Sequence, residues 1–351
     1  MKIAIVTPVM VPVPPRKYGG IEEIVDELAH GLAERGHHIT VFCSGGSTIA
    51  GENIERIETS PYPTREHQEE NRKWEIAQIE TVLGRQDEFD IIHFNYEPIA
   101  FRIERDGMEM NLLDSFRKPV VCTFHNITTI PEHIEYYRSS RSLDRHTMIF
   151  VSENQRSHVP FFPKSKVIYN GIRVERFPVE RQKMDYMLFL GRITPEKGII
   201  EAITVAEMTN IPLVIAAKID PVDQRFYDSE VRSRIDGTLV HYVGEVDFDE
   251  KIGYLKNAKC LLFPIRWEEP FGLVMVEALA CGTPVIAFRR GSVPEIVQDG
   301  VNGYLVNTAD QMAAAARRCG EIPPDECRKS AEQFSVGRMV GEYEATFMRE
   351  V

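Results

Sequence analysis

The stretch YMLFLGRITPEKGIIEAITVAEMTNIPLVIAAK, residues 186–218, decides the fold. It opens on a short apolar run, YMLFLGR, passes a turn that holds Pro195 and Gly198, enters a helix-like segment and closes on a second apolar run, PLVIAAK. Hydrophobicity in both runs is continuous rather than alternating. Strands covered on both faces require this, so the stretch predicts a mainly parallel sheet sandwiched by helices.

Outward from it the scheme repeats. VHYVGEV, CLLFPIR, PVIAFRR and GYLV follow on the C-terminal side. The first half carries its own series, KIAIVTPV, HHITVFCS, FDIIHFN, VVCTFHN, MIFVSE and KVIYNG. Two similar α/β domains are therefore expected, and 351 residues suit two such cores better than one. The polar segment GIRVERFPVERQKMD holds a proline and no sustained periodicity, which marks a junction. The expected domains are residues 1–180 and 181–334. Residues 335–351 place Val336, Met339, Val340, Tyr343 and Phe347 near the period of a helix face, a terminal helix expected to pack back on the first domain.

Composition narrows the classes. Hydrophobic residues at 43% and charged residues at 27% describe an ordinary globular chain. A formal charge of −12 repels polyphosphate backbones, so nucleic acid is not an expected partner. The clearest basic cluster, Arg138, Arg141, Arg145 and His146, reads as a solvated helix face, with steering of an anionic acceptor or headgroup as the alternative. No apolar run approaches the ~20 residues of a membrane span and Met1 opens directly into a strand, so a cytoplasmic protein without an integral membrane segment is expected. The six cysteines lack metal-type spacing and read as buried, reduced thiols.

Parallel α/β sheets bind ligands beyond the carboxyl ends of their strands, so function is sought in strand-to-helix loops. After the first strand, Gly19 and Gly20 precede an amphipathic helix, where glycine permits close approach and first-turn amides can face an anion. In FLGRITPEKGIIEAI, Arg192 and Lys197 stand five residues apart at a helix start, a placement suited to a diphosphate. The third segment, RWEEPFGLVMVEALACGTPVIAFRRGSVPEIVQDGVNGYLV, is the most informative. Glu269 falls in a loop before Pro270 and Gly272, and Glu277 falls inside an otherwise apolar helix. An ionised Glu277 there needs a partner: a ribose hydroxyl can supply one, and so can a structural group. The amides of Phe271, Gly272 and Leu273 face the same ligand as Glu269.

EEPFGLVMVEALACGTPVIA, with GRITPEKG upstream and GSVPEIVxDGxNGYLV downstream, resembles the retaining glycosyltransferases of family 4, which have the GT-B fold. Glu269 and Glu277 match that family's E-x7-E motif. The match is dense over residues 187–308 and thinner in the first half, through YGGIEE, CTFHN, VSE and YNGI. The resemblance implies two Rossmann-like domains whose loops face one cleft, and transfer of a hexose from a nucleotide diphosphate sugar to a hydroxyl acceptor. By position, Glu269 meets the donor sugar, Glu277 binds the ribose, and Arg192 and Lys197 neutralise the diphosphate without a metal. His125 in CTFHN matches the family's first-domain histidine, Gly19 and Gly20 its glycine loop near phosphate and acceptor, and Val246 the site that holds the base through backbone atoms. Retention by attack on the leaving-group face is also implied. A double displacement would need a carboxylate nucleophile, and the acidic residues of the first domain fall mostly on predicted helix surfaces.

The polar segment from Glu66 to Leu83 reads either as an acceptor-side feature or as a surface helix docked through Trp74, Ile76 and Ile79. Uridine, guanosine and adenosine diphosphate sugars all stay open as donors. A sugar, a glycoside, a lipid-linked molecule or a small molecule stays open as acceptor, and a homodimer is compatible with these residues. Two rivals carry other expectations: another GT-B activity such as an epimerase or phosphorylase, and a non-catalytic nucleotide-sugar binding subunit.

Overall fold

The computed structural model describes residues 1–17, 19–59, 68–126 and 128–351, without the side chains of 68–70 and 141–142. Tyr18 of the glycine loop and the start of the Glu66 segment lie outside the described residues. The chain divides into two compact units, Met1–Gly171 with Val336–Val351, and Ile172–Ser335. The division falls before the expected border at 180/181. Residues from Ile172 onward are fastened to the second unit, where the Ile172 amide donates to Phe334 O at 2.9 Å and the Phe177 ring lies 5.7 Å from that of Phe248.

The first unit is built on a seven-stranded sheet in the order β3-β2-β1-β4-β7-β8-β9. Its strands are β1 (Lys2–Val6), β2 (His38–Cys43), β3 (Ile54–Glu58), β4 (Ile91–Phe94), β7 (Val120–Phe124), β8 (Thr147–Phe150) and β9 (Ser165–Val167). All pairings are parallel, with Ile3 opposite both Ile39 and Ile91. A separate antiparallel hairpin joins β5 (Arg102–Arg105) to β6 (Met108–Asn111). The central strands are buried along almost their whole length, which explains their unbroken apolar sequences. One face of the sheet is filled by aromatic rings: Phe124 stacks on Phe150 at 4.6 Å and Phe94 meets Phe101 edge-on at 4.8 Å.

Two helices cover the sheet in ways that bear on the site. Gly20–Glu34 runs directly out of the loop after β1, and the terminal helix Val336–Glu350 lies against it. A Cβ on Gly31 would come within 2.6 Å of Val340, so the close approach depends on glycine. Met339, Val340, Tyr343 and Phe347 are buried, and Glu344 takes Arg35 at 2.6 Å and His37 at 2.9 Å. The helix Gln68–Gly84 buries Ile79 and Val82, but Trp74 is 36% exposed. Trp74 is thus not the anchor of this helix.

In the basic cluster Arg138 and Arg145 are exposed, as expected of a solvated face, but His146 is buried and both arginines also make contacts within the protein. Arg145 donates to the carbonyls of Leu113, Asp114 and Phe116, and Arg138 lies 5.4 Å from the Phe161 ring. These side chains fasten a turn and cover a ring. The Arg141 side chain lies outside the described residues.

The second unit carries six parallel strands in the order β12-β11-β10-β13-β14-β15. They are β10 (Met187–Arg192), β11 (Leu213–Lys218), β12 (Val240–Gly244), β13 (Cys260–Phe263), β14 (Val285–Phe288) and β15 (Gly303–Val306). All six follow the apolar runs read from the sequence. In both units the chain winds outward from its first strand and then returns to the other side of it. The order therefore reverses between β1 and β4 and between β10 and β13, and at such reversals the two neighbouring loops part and leave a crevice. All six cysteines are buried and unpaired, and among the described residues no helix is long and apolar enough to cross a membrane.

Candidate active site

In the second unit the loops flanking the reversal are joined. β10 ends at Arg192, a single helical turn spans Pro195–Lys197, and the helix Ile199–Thr209 follows. Gly198 has φ +75, and a Cβ there would fall 1.9 Å from Pro264 O in the loop after β13. Only glycine lets the two loops lie so close. The Arg266 amide donates to Glu196 O at 2.8 Å and adds a second tie.

That closeness brings Lys197 to Glu269. Lys197 Nζ donates to Glu269 Oε2 at 2.6 Å, Trp267 Nε1 donates to the same oxygen at 2.8 Å, and the ammonium lies 4.6 Å from the Trp267 ring. Glu269 is only 8% exposed, so carboxylate, ammonium and indole form a largely desolvated cluster. Lys197 is consequently not a plain surface cation. Arg192 lies 3.7 Å from Asp220 and 3.6 Å from Glu196, and Lys218 Nζ lies 2.8 Å from Asp220 Oδ1. Each of the two cations read from the sequence faces a carboxylate.

The Glu269 loop is held from beneath by the turn after β14. A Cβ on Gly291, at φ +55, would meet Glu269 N at 2.3 Å and O at 2.4 Å. Ser292 N donates to Glu269 O at 2.9 Å, Ser292 Oγ donates to Phe271 O at 2.7 Å, and Gly291 N donates to Glu268 at 2.8 Å. The Phe271 ring is buried against Phe334, so this residue can offer a ligand only its backbone. Gly272, in the left-handed region, caps the helix Leu273–Ala280; its carbonyl accepts from the Met275 amide at 3.0 Å, while the amides of Leu273 and Val274 have no acceptor within the helix.

Glu277 lies on that helix, 3% exposed, and its charge has a partner in the protein: Lys251 Nζ donates to Glu277 Oε1 at 2.5 Å. Lys251 belongs to the helix Phe248–Asn257, capped by Asp247 and Glu250 in a reciprocal capping box. Val246 sits half-buried just before that cap. The end of β10, the loops after β10, β12 and β13, and the helix Leu273–Ala280 that follows β13 therefore carry every second-unit residue singled out in the sequence. Asp220, Lys251 and Trp267 were not singled out, since nothing in their immediate neighbours marks them.

In the first unit, Gly19 has φ 172, an ordinary extended value, so space rather than conformation demands glycine. A Cβ would lie 2.6 Å from Pro15 and 3.1 Å from Glu22 Oε2. Gly20 opens the helix, whose first turn carries Glu22 and Glu23 and so already complements the positive end of its dipole. Glu22 and Glu27 are buried rather than on the helix surface where acidic residues were expected.

His125 stands at the carboxyl end of β7, half-buried. Its Nε2 bonds Asn95 Oδ1 at 3.0 Å, and desolvation pushes its pKa down to about 4, so the ring is neutral at pH 7. Glu97 Oε1 accepts from the amides of His125 and Asn126 at 3.0 and 2.9 Å and from Asn126 Nδ2 at 2.9 Å. Behind it, His93 Nε2 bonds Thr123 Oγ1 at 2.8 Å, and that hydroxyl meets Tyr343 OH of the terminal helix at 3.1 Å.

With this geometry in hand the comparisons with known proteins are specific. The family model described as Glycosyltransferase Family 4 matches residues 18–176, and that of Glycosyl transferases group 1 matches residues 173–334. An uncharacterized glycosyltransferase of Methanocaldococcus jannaschii is 30% identical, over 87% of this chain and 85% of its own. The chain belongs to glycosyltransferase family 4. Another relative of this glycosyltransferase, the phosphatidyl-myo-inositol mannosyltransferase of Mycolicibacterium smegmatis, is 26% identical over 93% of this chain and 86% of its own. Among solved structures, HepE of Anabaena in complex with UDP matches with a TM-score of 0.76 at 19% identity, over 99% of this chain and 100% of that one. The glycosyltransferase thus has the GT-B fold expected from its sequence.

Proposed function

We propose that this glycosyltransferase moves a hexosyl group from a nucleoside diphosphate sugar to a hydroxyl acceptor with retention of configuration, the donor being held by the second unit. The observation that carries this reading is the Lys197–Glu269 pair, set at the reversal of strand order and beside the amino end of Leu273–Ala280. A lysine ammonium has three N–H donors, and the pair with Glu269 uses one. Lys197 and Arg192 then meet the diphosphate, Glu269 accepts hydroxyls of the sugar, and the amides of Phe271, Gly272 and Leu273 complete the cradle. Glu277, held by Lys251, accepts from the ribose, and the backbone around Val246 meets the base.

In the reaction the acceptor oxygen bonds the anomeric carbon while the bond from that carbon to the phosphate oxygen breaks. The departing diphosphate oxygen takes the acceptor's proton. Negative charge grows on the leaving group, and fixed cations near it lower the barrier. The cations are the chain's own side chains, and this reading uses no metal. His125 of the first unit supplies a neutral imidazole to a substrate hydroxyl. The Gly19–Gly20 loop, beside the buried Glu22, suits a neutral acceptor better than a phosphate. The UDP of HepE supports a nucleoside diphosphate as donor, and the mannosyltransferase relative supports a hexose.

The test is a thermal-shift series with UDP, GDP, ADP and TDP and their common sugar conjugates, on the wild type and on Glu277→Ala. One nucleotide series should raise the melting temperature of the wild type and leave the variant unmoved. No shift with any nucleotide, on folded protein, would overturn the donor assignment.

A further inference from the structure

β1, β4 and β7 lie side by side, and a line of hydrogen bonds crosses their carboxyl ends. Asn95 Nδ2 donates to Val6 O at 3.1 Å, and His125 Nε2 meets Asn95 Oδ1 at 3.0 Å. A backbone carbonyl has no proton to give, so Val6 dictates which end of the Asn95 amide turns toward it. The other end, an oxygen that can only accept, is left facing the histidine. A neutral imidazole carries one proton, and here that proton must sit on Nε2. Nδ1 is then the ring's hydrogen-bond acceptor.

A second device acts on the backbone. Glu97, two residues beyond Asn95, gathers three N–H donors of His125 and Asn126 on a single oxygen. Charge-assisted bonds of this kind are the strong ones, and they fix the strand end on which the ring is mounted.

We infer that Asn95 and Glu97 are positioning residues for His125: Asn95 selects the tautomer that presents an Nδ1 lone pair to a substrate hydroxyl, and Glu97 fixes the backbone that carries the ring. This rests on the proposed reading of His125 as a substrate-facing group. An amide is suited to the task where a carboxylate is not, because an aspartate at position 95 would draw a second proton onto the ring and leave no acceptor. His93, the neighbouring imidazole on β4, is neutral as well, its pKa pushed down to about 3 by burial and by His125, so it adds no charge beside the ring.

The test combines histidine-selective 15N NMR of the full chain with steady-state transfer kinetics. The His125 signals, identified by their loss in His125→Asn, should show a protonated Nε2 and an unprotonated Nδ1 at pH 7. Asn95→Leu should lose that tautomer preference and lower kcat about ten-fold or more, with donor KM changed less than about two-fold. Asn95→Asp should keep Nε2 protonated and shift the ring toward imidazolium. Glu97→Ala should lower kcat without changing the tautomer, and Glu97→Gln, which retains an accepting oxygen, should recover part of the loss. A wild-type His125 protonated on Nδ1, or charged at pH 7, would overturn the inference, as would full kcat in Asn95→Leu when His125→Asn is inactive. Full turnover by His125→Asn would instead overturn the substrate-facing role of the ring while the NMR result for Asn95 stood.

Discussion

Lys251 Nζ donates to Glu277 Oε1 at 2.5 Å, joining two helices whose residues are 26 apart in the chain. The carboxylate is 3% exposed, and its neighbours Val276, Ala278 and Leu279 are all apolar and buried. Removing one member of such a pair leaves the other charged without compensation. Lys251→Met should therefore destabilise the protein by about 2–4 kcal/mol in urea denaturation, and adding Glu277→Gln should restore most of it. A Lys251→Met variant as stable as the wild type would show that Glu277 is charge-compensated elsewhere.

Lys197→Met should have two effects. On the proposed reading it removes a fixed cation beside the leaving group and should lower transfer about 100-fold or more. Because Glu269 is left without its ammonium in a desolvated place, the melting transition should fall as well, by about 2 kcal/mol of stability. Trp267→Phe keeps the ring but removes the Nε1 donor, and should cost only about 1 kcal/mol.

Gly291→Ala tests the support beneath the Glu269 loop. Its new methyl would overlap Glu269 N and O and would sit at φ +55, so the loop must shift. A loss of about 2–3 kcal/mol and about ten-fold weaker nucleotide binding are expected in denaturation and titration experiments. Gly300→Ala is the control. It has φ +75 with nothing within 4 Å of the added carbon, and should cost about 1 kcal/mol with nucleotide affinity intact.

The histidines predict an acid-sensitive fold. His93, His125 and His146 have pKa values pushed down by burial to about 3, 4 and 4, against about 6.5 in an unfolded chain. Above pH 6.5 neither state is protonated at these rings and their stabilisation is complete. As pH falls from there toward 4 only the unfolded state takes up protons, so each ring withdraws up to about 1.4 kcal/mol per pH unit. His93→Gln can still bond Thr123 but does not titrate. The slope of stability against pH between 6 and 4 should be shallower in that variant by about one histidine's share.

The fold was legible wherever a strand is buried on both faces, because such a strand must be apolar without interruption. β3 escaped because it is an edge strand, IERIE, with three of its five residues exposed. The hairpin Arg102–Asn111 escaped because its charged side chains stay in solvent. The E-x7-E glutamates could be found from spacing, since a loop and the helix after it are local in sequence. Lys251, Asp220 and Trp267 could not, for their significance comes from which strands lie side by side. Arg145 looked like any surface cation until the carbonyls of Leu113, Asp114 and Phe116 were found around its guanidinium.

The first unit is assembled from two pieces of chain, with its closing helix, Val336–Glu350, separated from the rest by the whole second unit. A ribosome that has delivered residues 1–171 has made all the strands of the first sheet but not the side chains that cover His93 on β4, Tyr343 and Phe347. Co-translational folding of this half must then wait with an apolar flank uncovered until the second unit has been synthesised. A premature stop near position 335 would spare every proposed donor-site residue and still produce a polypeptide that chaperones retain.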